Sequence, residues 1–465
     1  MTFLSLFLFL FTTPALSSLS PLIVKESALK YHPTVRAALE RVRAQEFAVI
    51  GANGAFDAKI VSDYRAQTKY DWNTSVSRSQ IEKPIPLANS KIYAGTEQIS
   101  SKTGKLAPIY NTSNPSTTGQ AGNYSLIGLK LSLWKNLSLD PNRAALKNAK
   151  YNASIAQGEK RLANLDIGRL GQLAYWEWVT AQKVKNVYEE LLKNGEKRNE
   201  YLISRNSKGD IAKILITENE QYIANRRGSL QAAKERLLRA ELTLSLFYRD
   251  TDARPIVPSS NESFEDYPNK LALLIEKLDL NSNIEDLMEK RPDLANLSLQ
   301  IEKTNVDLEL AQQDLKPQID LATEYFQRTA VQPGMPSDYL MLLAQVSIPL
   351  ERNLGNGNIS AAHARKMVAQ SEMNLARQIY KLEVMALRQS LHLRLEQVAQ
   401  AEIEFTKAKE LVESETYKFK SGGGNLYLVN LREEAQARAE ASFNEARLGF
   451  MDGLLTYEAL VNVDE

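Results

Sequence analysis

The sequence predicts a mainly α fold with a smaller β component, arranged as two structural repeats per chain. Three observations lead there. Two proline-free tracts rich in Ala, Leu, Lys, Glu, Arg and Gln run from Pro141 to Pro255 and from Pro349 to the C-terminus. Each tract is interrupted near its middle, by RNSKGDIAK at 205–213 and by SGGGNLYLVN at 421–430. Each is also preceded by short segments with the period-two alternation of strands.

Taken in order, TFLSLFLFLFTTPALSS opens the chain with an apolar core from Phe3 to Phe11, then Pro14 and the small-residue ending Ala15-Leu16-Ser17. This reads as a signal peptide over residues 1–17, although no Lys or Arg precedes the core. The core is too short to span a bilayer as a helix. No later run approaches the roughly 20 apolar residues that a spanning helix needs. An exported chain without a helical span is either soluble or a β-barrel.

A first repeat, residues 18–250, begins with a helical segment from Leu22 to Ala55, broken at His32-Pro33. Residues 57–136 change character, being rich in Tyr, Ser, Thr, Asn and Gly. Within them KIVSDYRAQTKYDW (59–72) and YSLIGLKLSLW (124–134) read as a strand pair. KIYAGTEQIS (91–100) is a candidate further strand, and 112–122 reads as a polar loop. The expectation is therefore a strand pair with a long loop, or with one additional hairpin in it. Asp140-Pro141 then reads as the N-cap and first turn of a long helix. Ala174, Trp178, Ala181, Tyr188 and Leu192 follow heptad-like spacing. A helix from Asn142 to Arg205 would be roughly 95 Å long. Its partner after RNSKGDIAK must fold back as an antiparallel hairpin.

Residues 251–283, with Pro255, Pro258 and Pro268, read as a linker or small equatorial element. The second repeat, 284–465, has a helix to about 314, strands QIDLATEYFQRT (318–329) and YLMLLAQVSIPL (339–350), and another long hairpin. Leu391, Leu395, Val398, Phe405, Ala408 and Val412 form its seam. LSLWKNLSLDPNRAALKNAK and VSIPLERNLGNGNISAAHARK align at an offset of roughly 215 positions, and the two interruptions align at about the same offset. The three glycines 422–424 thus fall at a hairpin tip, where a turn calls for positive φ.

Composition restricts the chemistry. The 465 residues carry a formal charge of +1, without the basic footprint of a dedicated nucleic-acid binder. There is no cysteine, which excludes disulfides, thiolate metal sites, cysteine nucleophiles and a lipidated N-terminal cysteine. Three scattered histidines (His32, His363, His392) do not make a zinc site. The glycine run lacks the Lys-Ser/Thr and preceding strand of a phosphate loop. GxSxG is absent, and Glu189-Glu190 and Glu433-Glu434 read as solvated helix faces. No enzyme activity and no cofactor are expected.

Tyr64, Tyr70, Trp72, Tyr124, Trp134, Tyr325, Phe326 and Tyr339 cluster at the strand segments. Beside a signal peptide, this suits membrane strands with an aromatic girdle. Four strands cannot close a barrel, and open edges in lipid leave backbone groups unpaired. Three copies would close a twelve-stranded barrel, and the same trimer would gather the long helices into a helical barrel.

At this point the chain resembles the TolC family of outer membrane efflux channels over essentially its whole mature length. The resemblance rests on Arg291-Pro292-Asp293-Leu294, on the strand ends LSLWKN and VSIPLERN running into long helices, and on the paired tips. Gly209-Asp210-Ile211 is similar to a first-tip sequence of that family. Gly422 with Leu426-Tyr427-Leu428-Val429-Asn430 and Arg432-Glu433 is similar to the second.

The resemblance implies a homotrimer with a β-barrel in the outer membrane of a Gram-negative bacterium and a helical barrel in the periplasm. It implies a passive conduit for efflux or type I secretion, contacting outer membrane lipids, a periplasmic adaptor and an inner-membrane pump. Adaptor docking would fall on Gly209, Asp210, Ile211, Gly422, Gly423, Gly424, Asn425 and Leu426. The pore constriction would fall among Phe419, Leu428, Asn430, Leu431 and Glu433. The sequence departs from the family there. Leu428 and Leu431 stand where the best-known members carry acidic gate residues, Phe419 replaces a tyrosine, and Gly424 an arginine. Asn430, Glu433 and Asp210 are the candidate substitutes. The alternative reading is a soluble periplasmic coiled-coil or adaptor-like protein.

Overall fold

A computed structural model describes residues 18–461 except 70–71, 102–120, 260–262, 279, 281 and 330–337. The leader and most of the 112–122 loop expected above lie outside the described residues. In chain order the elements are α1 (Pro21–Tyr31), α2 (Pro33–Asn53), β1 (Lys59–Lys69), β2 (Trp72–Ile85), β3 (Ser90–Ser101), β4 (Gly122–Ser132), α3 (Pro141–Ser207) and α4 (Ile214–Phe247). They continue with α5 (Ala272–Lys277), α6 (Ile284–Lys290), α7 (Pro292–Gln313), β5 (Gln318–Arg328), β6 (Asp338–Ser347), α8 (Asn353–Lys420) and α9 (Leu426–Val461).

The local chemistry of each boundary is visible. Ser20 caps α1, its side chain accepting from Ile23 N, and Pro21 opens the first turn. Proline disfavours helical backbone in the residue before it, so His32 is extended and α1 ends before Pro33. The same device separates α6 from α7: Arg291 is extended ahead of Pro292. Asp140 caps α3, accepting from Asn142 N at 2.9 Å and Arg143 N at 3.0 Å. The two long helices match closely in length, 67 residues in α3 and 68 in α8, as do their partners α4 (34) and α9 (36).

The described residues separate into two compact units. One holds residues up to Glu40, Glu159–Asp293 and those from Ala376 on; the other holds Arg41–Gly158 and Leu294–Leu375. These units do not coincide with the sequence repeats, because α3 and α8 each run through both and each repeat contributes to each unit. In the first unit Arg291 donates to the terminal carbonyls of α9, Ala459 O at 3.1 Å and Leu460 O at 3.3 Å, and pairs with Asp293. A cation at a helix C-terminus is favoured by the orphan carbonyls and the dipole there.

The second unit carries one antiparallel sheet in the order β1-β2-β3-β4-β5-β6. Of the two alternatives for the first repeat the structure has the additional hairpin: that repeat supplies four strands, with β2 and β3 forming the hairpin and KIYAGTEQIS lying in β3. The segment WNTSVSRSQIEKPI of β2 alternates in burial, but Ser75, Ser77, Ser79 and Ile81 alternate with Val76, Arg78, Gln80 and Glu82. Its period is that of a strand, while its hydrophobicity is that of a loop.

The sheet is polar on its buried face. Arg78 donates to Gln80 Oε1 (2.7 Å) and Glu324 Oε1 (2.9 Å), and Tyr93 OH donates to the same Glu324 oxygen at 2.6 Å. Gln80 and Lys91 both donate to Glu82 Oε1, and Ser132 donates to Asp320. Tyr93 reaches Glu324 over Gly128, where a Cβ would lie 2.4 Å from its ring. Toward the helix-joined strand ends the open face is apolar: Ile60, Ile81, Ile127, Leu340, Leu342 and Val346 are each more than half exposed. A sheet in water would place these residues the other way round. Burying such a side chain is worth about 1.5–3 kcal/mol, so several together strongly favour an apolar surrounding. Among the described residues no helix is long and apolar enough to cross a membrane.

Candidate functional site: the paired hairpin tips

Both long hairpins turn in the same way. At the end of α3, Gly209 N donates to Asn206 O (2.9 Å) and Asp210 N to Arg205 O (3.1 Å). At the end of α8, Gly422 N donates to Phe419 O and Gly423 N to Lys418 O, both at 3.1 Å. These paired bonds make a Schellman motif at each tip, satisfying carbonyls that a helix end leaves orphaned. The motif requires a left-handed residue, supplied by Gly209 (φ +79°) and Gly422 (φ +85°).

The three glycines have different roles. Gly422 provides the left-handed angle. Gly424 provides clearance, since a Cβ there would lie 2.5 Å from Phe419 N. Gly423 has open space and no positive φ. Asn425 then starts α9, its Oδ1 accepting from Tyr427 N at 2.9 Å, and Leu426 is buried beneath the turn. At the first tip Asn206 Nδ2 reaches Ile211 O at 2.7 Å, holding the returning strand of the turn. Asp210 is exposed, 3.7 Å from Arg205.

The residues expected at a constriction divide into two groups. Phe419 and Leu431 are half-buried and Leu428 is exposed. Asn430 and Glu433 are instead buried in a clamp between helices. Arg226 of α4 donates to Asn430 Oδ1 (3.1 Å), Glu433 Oε2 (3.0 Å) and Leu191 O (3.1 Å). Arg198 of α3 donates to Asn430 Oδ1 at 2.6 Å and also to Glu433 Oε1. The clamp therefore ties α9 to both helices of the first hairpin, within a few turns of both tips. Burial pushes the Arg226 guanidinium below its ordinary pKa, opposed by the Glu433 carboxylate. Gly195 makes room for it, since a Cβ there would sit 2.9 Å from Arg226 Nη1.

Arg226, Arg198 and Gly195 were not singled out from the sequence, yet a signal existed. Apart from Ser245 at its end, the buried positions of α4 run Asn219, Ile223, Arg226, Leu230, Ala233, Leu237, Ala240, Leu244, alternating steps of four and three. An arginine and an asparagine in a seam otherwise filled by Ile, Leu and Ala must be paired. Its neighbour Arg227 lies off the seam and pairs with Glu196 at the surface.

Among the described residues no group of His, Cys, Asp and Glu is arranged to hold a metal ion. No protein-family model matches the chain, and no curated protein matches it significantly in sequence. Solved structures do match its fold. The CmeC outer membrane channel of Campylobacter jejuni superposes with a TM-score of 0.68 at 14% identity, over 95% of this chain and 85% of that one. The outer membrane protein VceC of Vibrio cholerae gives 0.66 at 15%, over 95% of both chains. The open state of the MtrE outer membrane channel of Neisseria gonorrhoeae gives 0.64 at 14%, over 94% and 88%. At such identities the likeness is one of fold.

Proposed function

We propose that this chain is one protomer of a trimeric outer membrane channel, a passive conduit serving a tripartite efflux or type I secretion system. The observation that carries the reading is the inside-out sheet: charged and hydrogen-bonded side chains on the buried face, Ile and Leu on the open one. Lipid is the solvent in which that arrangement is stable. The sheet order leaves β1 and β6 as free edges, which lipid does not tolerate. All neighbouring strands are antiparallel, so β6 of one copy would meet β1 of the next antiparallel, and three copies of the six-stranded sheet would close without an edge.

The helical hairpins would then stand in the periplasm, with Gly209-Asp210-Ile211 and Gly422–Leu426 presented to a periplasmic adaptor linked to an inner-membrane pump. No catalytic step is assigned to the chain, so transport energy would come from the pump. A soluble adaptor-like protein has no use for an apolar sheet face. The test is to isolate the mature protein from outer membranes and measure its assembly and conductance. A trimer that opens aqueous pores in planar bilayers is expected. Recovery as a soluble periplasmic monomer would remove this reading.

A further inference from the structure

The open face of the sheet changes character along a single register row. Ile60, Ile81, Ala94, Ile127, Tyr325 and Leu340 lie side by side across all six strands, and every one is apolar or aromatic. Two residues farther from the helix-joined strand ends, the next row on that face is Ser62, Ser79, Thr96, Ser125, Gln327 and Asp338. Every one is polar.

The division holds beyond these two rows. Toward the helices the face continues with Ile92, Leu129, Leu131, Leu321, Leu342 and Val346, interrupted by Lys83 and Thr323. Away from them it continues with Ser77, Gln98, Ser100 and Asn123, all exposed, with Tyr64 and Ala66 on edge strand β1 as the exceptions. The buried face answers this change. Its apolar cluster of Val76, Tyr93, Ile99, Tyr124, Leu126 and Phe326 lies, Tyr93 excepted, at or beyond the same level. Phe326 stacks on Tyr339 at 4.7 Å and meets Tyr124 edge-on. The far half of the sheet is thus polar outside, as a sheet in water is, and packs this cluster together with the buried Arg78–Glu97 pair inside; the near half is apolar outside, as a sheet in lipid is.

We infer that the bilayer covers only the half of the sheet joined to the helices, and that beyond the Ser62–Asp338 row the strands stand in water as a wall with its own core. This rests on the membrane reading of the sheet but goes past it, assigning a lipid contact to the near half and an aqueous surface to the far half of β2 and β3. The hydroxyl pair Ser62–Ser79, 2.9 Å apart, lies on the aqueous side of the line. Tyr325 crosses it, sitting in the apolar row while its OH donates to Asp338 Oδ2 at 2.9 Å. That is the placement an interfacial tyrosine adopts, ring in the apolar layer and hydroxyl at the water.

The chain has no cysteine, so single-cysteine variants give a clean test. Ser77→Cys, Ser79→Cys and Thr96→Cys would be compared with Ile81→Cys, Ile127→Cys and Leu342→Cys in intact cells, using a large membrane-impermeant maleimide. Outer membrane fractionation of each variant is the control. The first three are expected to label, and the last three to lose labelling until detergent is added. Silence of Ser79→Cys and Thr96→Cys in a protein that fractionates with the outer membrane would overturn the boundary while leaving the channel reading standing. Labelling of Ile127→Cys as readily as Ser79→Cys would overturn it equally. Absence of every variant from the outer membrane fraction would remove the channel reading, and the boundary with it.

Discussion

Arg226 of α4 and Glu433 of α9 meet at 3.0 Å in the protein interior, the arginine side chain only 1% exposed. Glu433 keeps Arg198 as its second cation when Arg226 is removed, so what is lost is a buried charge-assisted hydrogen bond rather than the whole compensation of the carboxylate. Arg226→Ala should therefore cost about 1.5–3 kcal/mol. The loss is expected as a lower melting temperature and as faster proteolysis near the hairpin tips. A double-mutant cycle with Glu433→Gln should be strongly non-additive. Additive single losses would mean that the two groups do not act as a pair.

Alanine substitution should distinguish the three tip glycines. Gly422→Ala forces a β-carbon into the left-handed region, a cost of about 1–2 kcal/mol. Gly424→Ala pushes against the backbone of Phe419 and Lys418 and should displace the start of α9. Gly423→Ala meets open space at an ordinary φ and should be neutral, or stabilising by about 0.4–1 kcal/mol. Melting curves of the three variants check the order. If the tips dock an adaptor, export should fail in the same order; equal export from all three would reduce the tip to a turn.

Gly128 separates Tyr93 from the backbone of β4. Gly128→Ala should lift the ring and break the Tyr93–Glu324 hydrogen bond, an overpacking cost of about 1–3 kcal/mol. The expected readout is less folded protein, as judged by the heat-dependent gel mobility of membrane-inserted sheet. Normal folding with unchanged mobility would show that the buried face has slack the structure does not suggest.

His32 at the α1–α2 corner stacks on Phe247 at 5.4 Å and accepts from Thr34 N through Nδ1 at 3.2 Å. Burial, and then Arg249, hold its pKa below the usual histidine value. The folded state thus favours neutral imidazole. The contribution is fully present above the unfolded pKa of about 6.5 and is lost as pH falls through the lowered folded value. Melting temperature should drop more steeply between about pH 7.5 and 5 in wild type than in His32→Gln. Parallel curves would exclude a role for this group.

Much of this protein was legible without a structure. The long hairpins follow from two proline-free tracts with a four-three seam, a pattern that only packed helices satisfy. Their duplication placed SGGGNLYLVN opposite RNSKGDIAK, and one capping motif indeed closes both tips. His32-Pro33 and Asp140-Pro141 mark helix ends because proline acts on its immediate neighbours, a local effect that sequence carries in full. The tertiary structure was needed wherever the decisive partner lies far along the chain. The β2–β3 hairpin was legible only as an alternative to a long loop, because β2 buries Arg78, Gln80 and Glu82, and Arg78 finds its partner in Glu324, nearly 250 positions away. Glu433 looked like a solvated helix residue until Arg198 and Arg226 closed on it. The line between the Ile60 and Ser62 rows exists only once six strands lie in register. Local preferences are set by neighbours in sequence; the meaning of a charge or an isoleucine is set by what surrounds it in space.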